Sequence, residues 1–212
     1  MLRQALGLYS YSIYNDIDDI GSNHDVRHAV GHLFINGSIK EFYEDSMRSS
    51  EIVPVMTHEP PMDQAPAIYM VRDGRAALVS YWNYLRKVRQ RHDLTLEGVI
   101  RGQGTRFGSW SLHLQKWAPL SRPRTLLLRY EELIDNPDAA VAKIASFMDR
   151  RPIAQWHNNF QQMQAAFPAF FNTASNARNI DQMTSEDRRV FWDLHGDGMR
   201  AMGYEVEGIQ PK

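Results

Sequence analysis

A three-layer α/β fold built on a parallel sheet is predicted by two observations. Short apolar runs alternate along the chain with longer amphipathic ones, and each apolar run is followed by a turn and then a helical pattern. Three runs have the strand signature: Glu51 to Thr57, Ala67 to Val71 and Thr125 to Leu128 are short, bounded and apolar on both faces, as expected of strands covered by helices. Pro54 has no N–H to give to a ladder, so the first run is expected at a sheet edge or with a bulge. After the second run, Gly74 to about Arg91 places Leu78, Trp82, Leu85 and Val88 on one stripe of a helix. After the third, Asn136-Pro137 supplies an N-cap and a proline at the first helical position, and Val141, Ile144, Ala145 and Met148 share a face. A last helix is predicted from Thr184 or Ser185, with Glu186 and Asp187 in its first turn and Val190, Phe191, Leu194 and Ala201 along one side. Phe167 to Met183 has no period and reads as a long loop, a length usually kept for function or disorder.

With 212 residues, 43% of them hydrophobic, and no internal repeat or linker, the chain is read as one domain, 1–212. Twenty-four basic residues against 25 acidic ones leave a net charge of -1, so no global field draws nucleic acid, and an anion site must be built locally. The absence of cysteine excludes disulfides, thiolate nucleophiles and cysteine-based zinc sites. No apolar run approaches the ~18 residues of a membrane span and no signal-peptide pattern opens the chain, so a cytoplasmic protein is expected.

The segment Tyr69-Met-Val-Arg-Asp-Gly-Arg-Ala-Ala-Leu-Val-Ser80 carries the most chemistry. A strand delivers Arg72 to its carboxyl end, Gly74 turns the chain into a helix, and Ser80 follows about two turns in. Ligands of open α/β sheets bind outside the strand ends, where a guanidinium fork and a hydroxyl can grip one phosphate. On spacing alone a second reading stands beside this one: Arg72 pairs with Asp73 or another carboxylate, and Ser80 is a satisfied helix hydroxyl.

This segment resembles the 3'-phosphate-binding motif of the cytosolic and bacterial sulfotransferases, an arginine followed eight residues later by a serine. Gly108-Ser-Trp-Ser-Leu-His113 is similar to the family's Gly-Ser-Trp-x-x-His helix, and Leu127-Leu-Arg-Tyr-Glu-Glu-Leu133 to its strand ending in Tyr-Glu-Asp/Glu. The resemblance implies a P-loop-NTPase-like parallel sheet flanked by helices. It further implies 3'-phosphoadenosine 5'-phosphosulfate (PAPS) as co-substrate with no metal, and Arg72, Ser80 and Tyr130 on the nucleotide. The family's Lys-Thr-His strand end falls at Met56-Thr57-His58, which implies His58 as general base for a hydroxyl or amine acceptor. A histidine, with an unperturbed pKa of ~6.5, suits that proton transfer. Trp110, His113 and Trp117 form one helical stripe and are assigned to the core. His24, His28 and His32 recur every four residues, but no carboxylate completes a metal set.

Three departures qualify the resemblance. Met56 stands where the family has a lysine. The family's first strand and its phosphate-binding loop are not assignable, and Met1 to Leu6 is similar to the helix that follows them, so the central strand is expected to be missing and the reading frame to continue upstream of Met1. The region of the family's Arg-Lys-Gly-x-x-Gly lid holds Asn172, Thr173, Ala174 and Ala177, with Arg178 the nearby cation, in another register. An inactive, nucleotide- or partner-binding relative is therefore the alternative, and a P-loop kinase-like phosphotransferase a further one. The acceptor class, whether small molecule, glycan or lipid, is left open by the mixed chemistry of Asn15 to Arg27 and Phe160 to Asn179, and the oligomeric state by the sequence as a whole.

Overall fold

The computed structural model describes residues 1–14, 23–168 and 180–204, and among these described residues there are ten helices and five strands. They are α1 (Leu2–Leu6), β1 (Ser10–Ser12), α2 (His24–Val30), β2 (His32–Phe34), α3 (Ile39–Arg48), β3 (Val55–Met56), β4 (Ala67–Val71), α4 (Gly74–Lys87), α5 (Leu96–Ile100), α6 (Trp110–Trp117), β5 (Thr125–Arg129), α7 (Tyr130–Asp135), α8 (Pro137–Phe147), α9 (Phe160–Ala166) and α10 (Ser185–Ala201). Every pairing among them is parallel. The chain divides into two units, Met1–Glu59 with Asp135–Ala174, and Pro60–Ile134 with Ser175–Lys212.

The first unit holds a three-stranded sheet in the order β2-β1-β3. Proline limits its third strand: the expected run Glu51 to Thr57 forms ladder only at Val55–Met56, on the edge, and Pro54 contributes just its carbonyl, which accepts from the Tyr11 N–H at 2.8 Å. Val55 is 41% exposed, so this run is not covered on both faces. Around the sheet, α2 is capped by the Asn23 side chain and ends at Gly31 in the left-handed region, φ 77°, and α8 begins at Pro137 behind its Asn136 cap. That helix buries Ala140, Val141, Ile144 and Ala145.

In the second unit β4 and β5 pair over their full lengths, Ala67 opposite Thr125 through Val71 opposite Arg129. One face packs Tyr69 and Val71 against Leu114 and Met202. Helices α4, α5 and α10 enclose the larger cluster of Leu78, Val79, Leu85, Val99, Ile100, Val190, Phe191 and Met199. Leu78, Trp82 and Leu85 of the predicted stripe on α4 meet this cluster, while the helix ends at Lys87 and leaves Val88 as its cap, and α10 starts at the expected place because Thr184 and Asp187 form a reciprocal capping box.

His195 sits inside this cluster at 2% exposure. Its Nε2 hydrogen-bonds the Ile100 carbonyl at 2.9 Å and its Nδ1 takes the Ser111 hydroxyl at 2.7 Å, so one neutral imidazole joins α5, α6 and α10. Burial holds its pKa below the ordinary value of 6.5, whereas the unfolded chain protonates there. The stabilisation is therefore complete above about pH 6.5 and is lost as pH falls through the lower folded-state pKa. His32, half-buried beside Ser10, is shifted the same way. Urea midpoints are expected to drop between pH 7 and about 5, with a shallower drop in His195→Gln; an unchanged slope in that variant would remove His195 from this role.

Candidate functional site

Because β4 and β5 run parallel and in register, their carboxyl ends lie side by side, and the residues that leave them are Arg72 and Tyr130. The two side chains meet there: the Arg72 guanidinium carbon stands 4.8 Å from the centre of the Tyr130 ring. Such a cation–π contact contributes on the order of 0.5–2 kcal/mol and holds a long side chain against a rigid one. Both are half-buried.

Next to Arg72, Asp73 serves α4 twice. Its carboxylate accepts from the Arg75 backbone N–H at 2.9 Å and forms a two-pronged ion pair with the Arg75 guanidinium, at 3.1 and 2.7 Å. The two side chains are 10% and 9% exposed, so this carboxylate is committed to Arg75. Gly74 follows, where a β-carbon would meet Phe191 and Trp110 at 3.0 Å, so a larger residue at this turn would push the helix start out of place. Ser80 is half-buried on α4, six residues on and about 9 Å further along the axis.

Glu131, at the start of α7, links these turns. One carboxylate oxygen accepts from the Asp73 backbone N–H at 3.1 Å and the other from the Tyr204 hydroxyl at 2.7 Å. Burial, then the Glu131 carboxylate, pushes the Tyr204 phenol well above its usual pKa, which keeps it a donor. Sequence reasoning saw Glu131 only as a letter in a motif and passed over Tyr204, because neither periodicity nor spacing signals a partner 73 residues away.

In the first unit, His58 follows β3 and is exposed. The Tyr14 ring stacks on it at 5.6 Å and 21°, and the Tyr14 hydroxyl accepts from the His58 backbone N–H at 2.6 Å. That hydroxyl also lies 3.4 Å from Thr57 Oγ1, which in turn accepts from the Glu59 N–H at 2.9 Å. Tyr14 was not anticipated; it is set by β1, a three-residue strand too short to show alternation.

The stripe Trp110, His113 and Trp117 packs beside β4: Tyr69 hydrogen-bonds His113 Nδ1 at 2.8 Å and lies 5.6 Å from the Trp117 ring. Burial raises the Tyr69 pKa, so its phenol donates. The three histidines spaced by four do not share one helix: His24 and His28 stack at 6.5 Å on α2, while His32 lies on β2. Among the described residues no group of three or more His, Asp or Glu is placed to hold a metal ion, and no helix is long and apolar enough to cross a membrane. Asn172, Thr173, Ala174, Ala177 and Arg178 lie outside the described residues, as does most of the stretch after Tyr14.

Comparison with known proteins bears on this geometry. Sulfotransferase 1A1 of Canis lupus familiaris is 28% identical over 120 residues, 51% of this chain and 40% of that protein. Sulfotransferase 1E1 of Homo sapiens is 29% identical over 141 residues, 57% of this chain and 47% of that one. The chain thus spans less than half the length of these relatives. Mouse sulfotransferase SULT7A1, solved with PAP, superposes with a TM-score of 0.57 at 18% identity, covering 91% of this chain and 84% of its own. Retinol dehydratase, solved with androsterone and the inactive cofactor PAP, superposes at 0.56 and 15% identity, covering 81% and 64%. These likenesses establish an α/β fold of parallel strands flanked by helices. The sulfotransferase domain profile matches residues 38–190, well over half of the sequence and inclusive of β4, α4, α6 and β5, and the chain belongs to that family.

Proposed function

We propose that this chain is the nucleotide- and acceptor-binding part of a PAPS-dependent sulfotransferase, a single sulfotransferase-like domain that transfers a sulfuryl group to a hydroxyl or amine. The observation that carries it is the meeting of Arg72 and Tyr130 where β4 and β5 end, one helix start away from Ser80. A guanidinium and a hydroxyl are the donor set a phosphate dianion calls for, and an aromatic face suits a purine. In this reading Arg72 and Ser80 hold the 3'-phosphate and Tyr130 the nucleoside.

His58 accepts the acceptor's proton as that oxygen or nitrogen bonds to sulfur, while the bond from sulfur to the 5'-phosphate oxygen breaks and PAP departs. Catalysis is then mainly positioning and charge stabilisation, as in phosphoryl transfer. Met56 offers no cation to the transferring group, so a larger share of that stabilisation falls to other residues. The same reading takes the central strand and the 5'-phosphosulfate loop as parts that these 212 residues do not supply, and a cytoplasmic setting. PAP in one solved neighbour and PAP with androsterone in another support a nucleotide and a small hydroxylated acceptor.

Calorimetry with PAP is the direct test. Charge-assisted hydrogen bonds are worth about 1.5–3 kcal/mol each, so Arg72→Ala is expected to weaken PAP by roughly a hundredfold. Equal affinity in wild type and variant would overturn the assignment. Heat of binding without turnover would favour the non-catalytic relative, whose motivation is the methionine at position 56 together with the unassigned phosphate-binding loop and the altered lid sequence.

A further inference from the structure

Glu131 is placed as a crossbar under the nucleotide-binding pair. Arg72-Asp73 leaves β4 and leads into α4, and Tyr130-Glu131 leaves β5 as the first two residues of α7, the two strand ends being adjacent. The hydrogen bond from the Asp73 N–H to Glu131, at 3.1 Å, ties the two departures together. Its two ends are the immediate chain neighbours of Arg72 and Tyr130, whose side chains touch at 4.8 Å. The second oxygen of Glu131 is held from below by Tyr204, which also lies 3.4 Å from the Val71 carbonyl and follows Gly203, whose carbonyl accepts from Arg129 at 3.1 Å. The crossbar is therefore anchored at both strand ends and at the end of α10.

We infer that Glu131 is a positioning residue for nucleotide binding: it fixes the spacing of the two turns and thereby the approach of Arg72 to Tyr130. The inference rests on the reading that this pair binds PAP. A carboxylate suits the place, because the peptide N–H of Asp73 and the phenol of Tyr204 both donate to it. Glutamine would accept one and turn its own NH2 group toward the other.

Charge makes the test sharp. A carboxylate near a bound phosphate repels it, so if Glu131 acted by charge alone its removal would tighten PAP binding. Positioning demands the opposite sign. Calorimetric titration with PAP, run where circular dichroism shows each variant folded, is expected to give about tenfold weaker binding for Glu131→Ala and an intermediate loss for Glu131→Gln. In an Arg72→Ala background the Glu131→Ala change should add almost nothing, because its effect passes through Arg72. Unchanged or tighter binding in both Glu131 variants, or full additivity with Arg72→Ala, would overturn the inference alone. If wild type gives no PAP heat, or Arg72→Ala binds as well as wild type, the reading of the site fails and the inference with it. Should Glu131→Ala not fold, Glu131→Gln decides by the same sign.

Discussion

Replacing His58 with alanine is expected to lower kcat by roughly 10²- to 10⁴-fold while leaving PAP affinity within about twofold, because a positioned general base contributes that much to proton transfer and does not touch the 3'-phosphate. The assay is release of PAP from PAPS with 4-nitrophenol as a hydroxyl probe, alongside calorimetry. The structure adds a control. His58 is held by Tyr14 through the ring contact and the backbone hydrogen bond, so Tyr14→Phe keeps the ring, loses the 2.6 Å bond, and should reduce kcat by a smaller factor. A His58→Ala protein that turns over at the wild-type rate would leave the reaction without its proposed base.

Asp73→Ala is expected to cost about 3–5 kcal/mol of stability, the penalty for removing one partner of a buried ion pair. Its partner Arg75 is nine-tenths buried, lies beside the Trp192 ring at 5.4 Å, and would lose both prongs of its ion pair together with the cap on its backbone N–H. Urea unfolding monitored by circular dichroism reads this directly. The double change Asp73→Ala with Arg75→Met should recover most of the loss, since an apolar side chain of similar length needs no counter-charge. A single variant as stable as wild type would show that the pair is not the support of this helix start.

Both results bear on how much of the molecule was readable as letters. The strand-then-helix units β4-α4 and β5 with α8 were legible because each element is long enough to show its period and carries its own punctuation, whereas the short α7 between β5 and α8 was not read. Gly74, the Asn136-Pro137 cap and the Thr184 box act within a turn of chain, and local chemistry is what a sequence displays. The first unit was less legible. Its strands span two or three residues, too few for alternation, and His32 continued the every-fourth pattern of His24 and His28 although it lies on β2 rather than on their helix. Pro54 announced an edge, and an edge is where β3 lies.

The candidate site divides the same way. The types and order of Arg72, Ser80, Tyr130 and His58 were legible in the sequence by itself, through the likeness of the segments that carry them to sulfotransferase motifs, while hydrophobic patterning placed those segments at strand ends. What only the tertiary structure decided is which groups face one another: Arg72 on Tyr130, Arg75 rather than Arg72 in the two-pronged pair with Asp73, Glu131 between Asp73 and Tyr204, Tyr14 against His58. The physical reason is distance along the chain. Four of these pairs join residues 44 to 73 positions apart, and a hydrogen bond or ring contact between them exists only once the fold has brought those segments side by side.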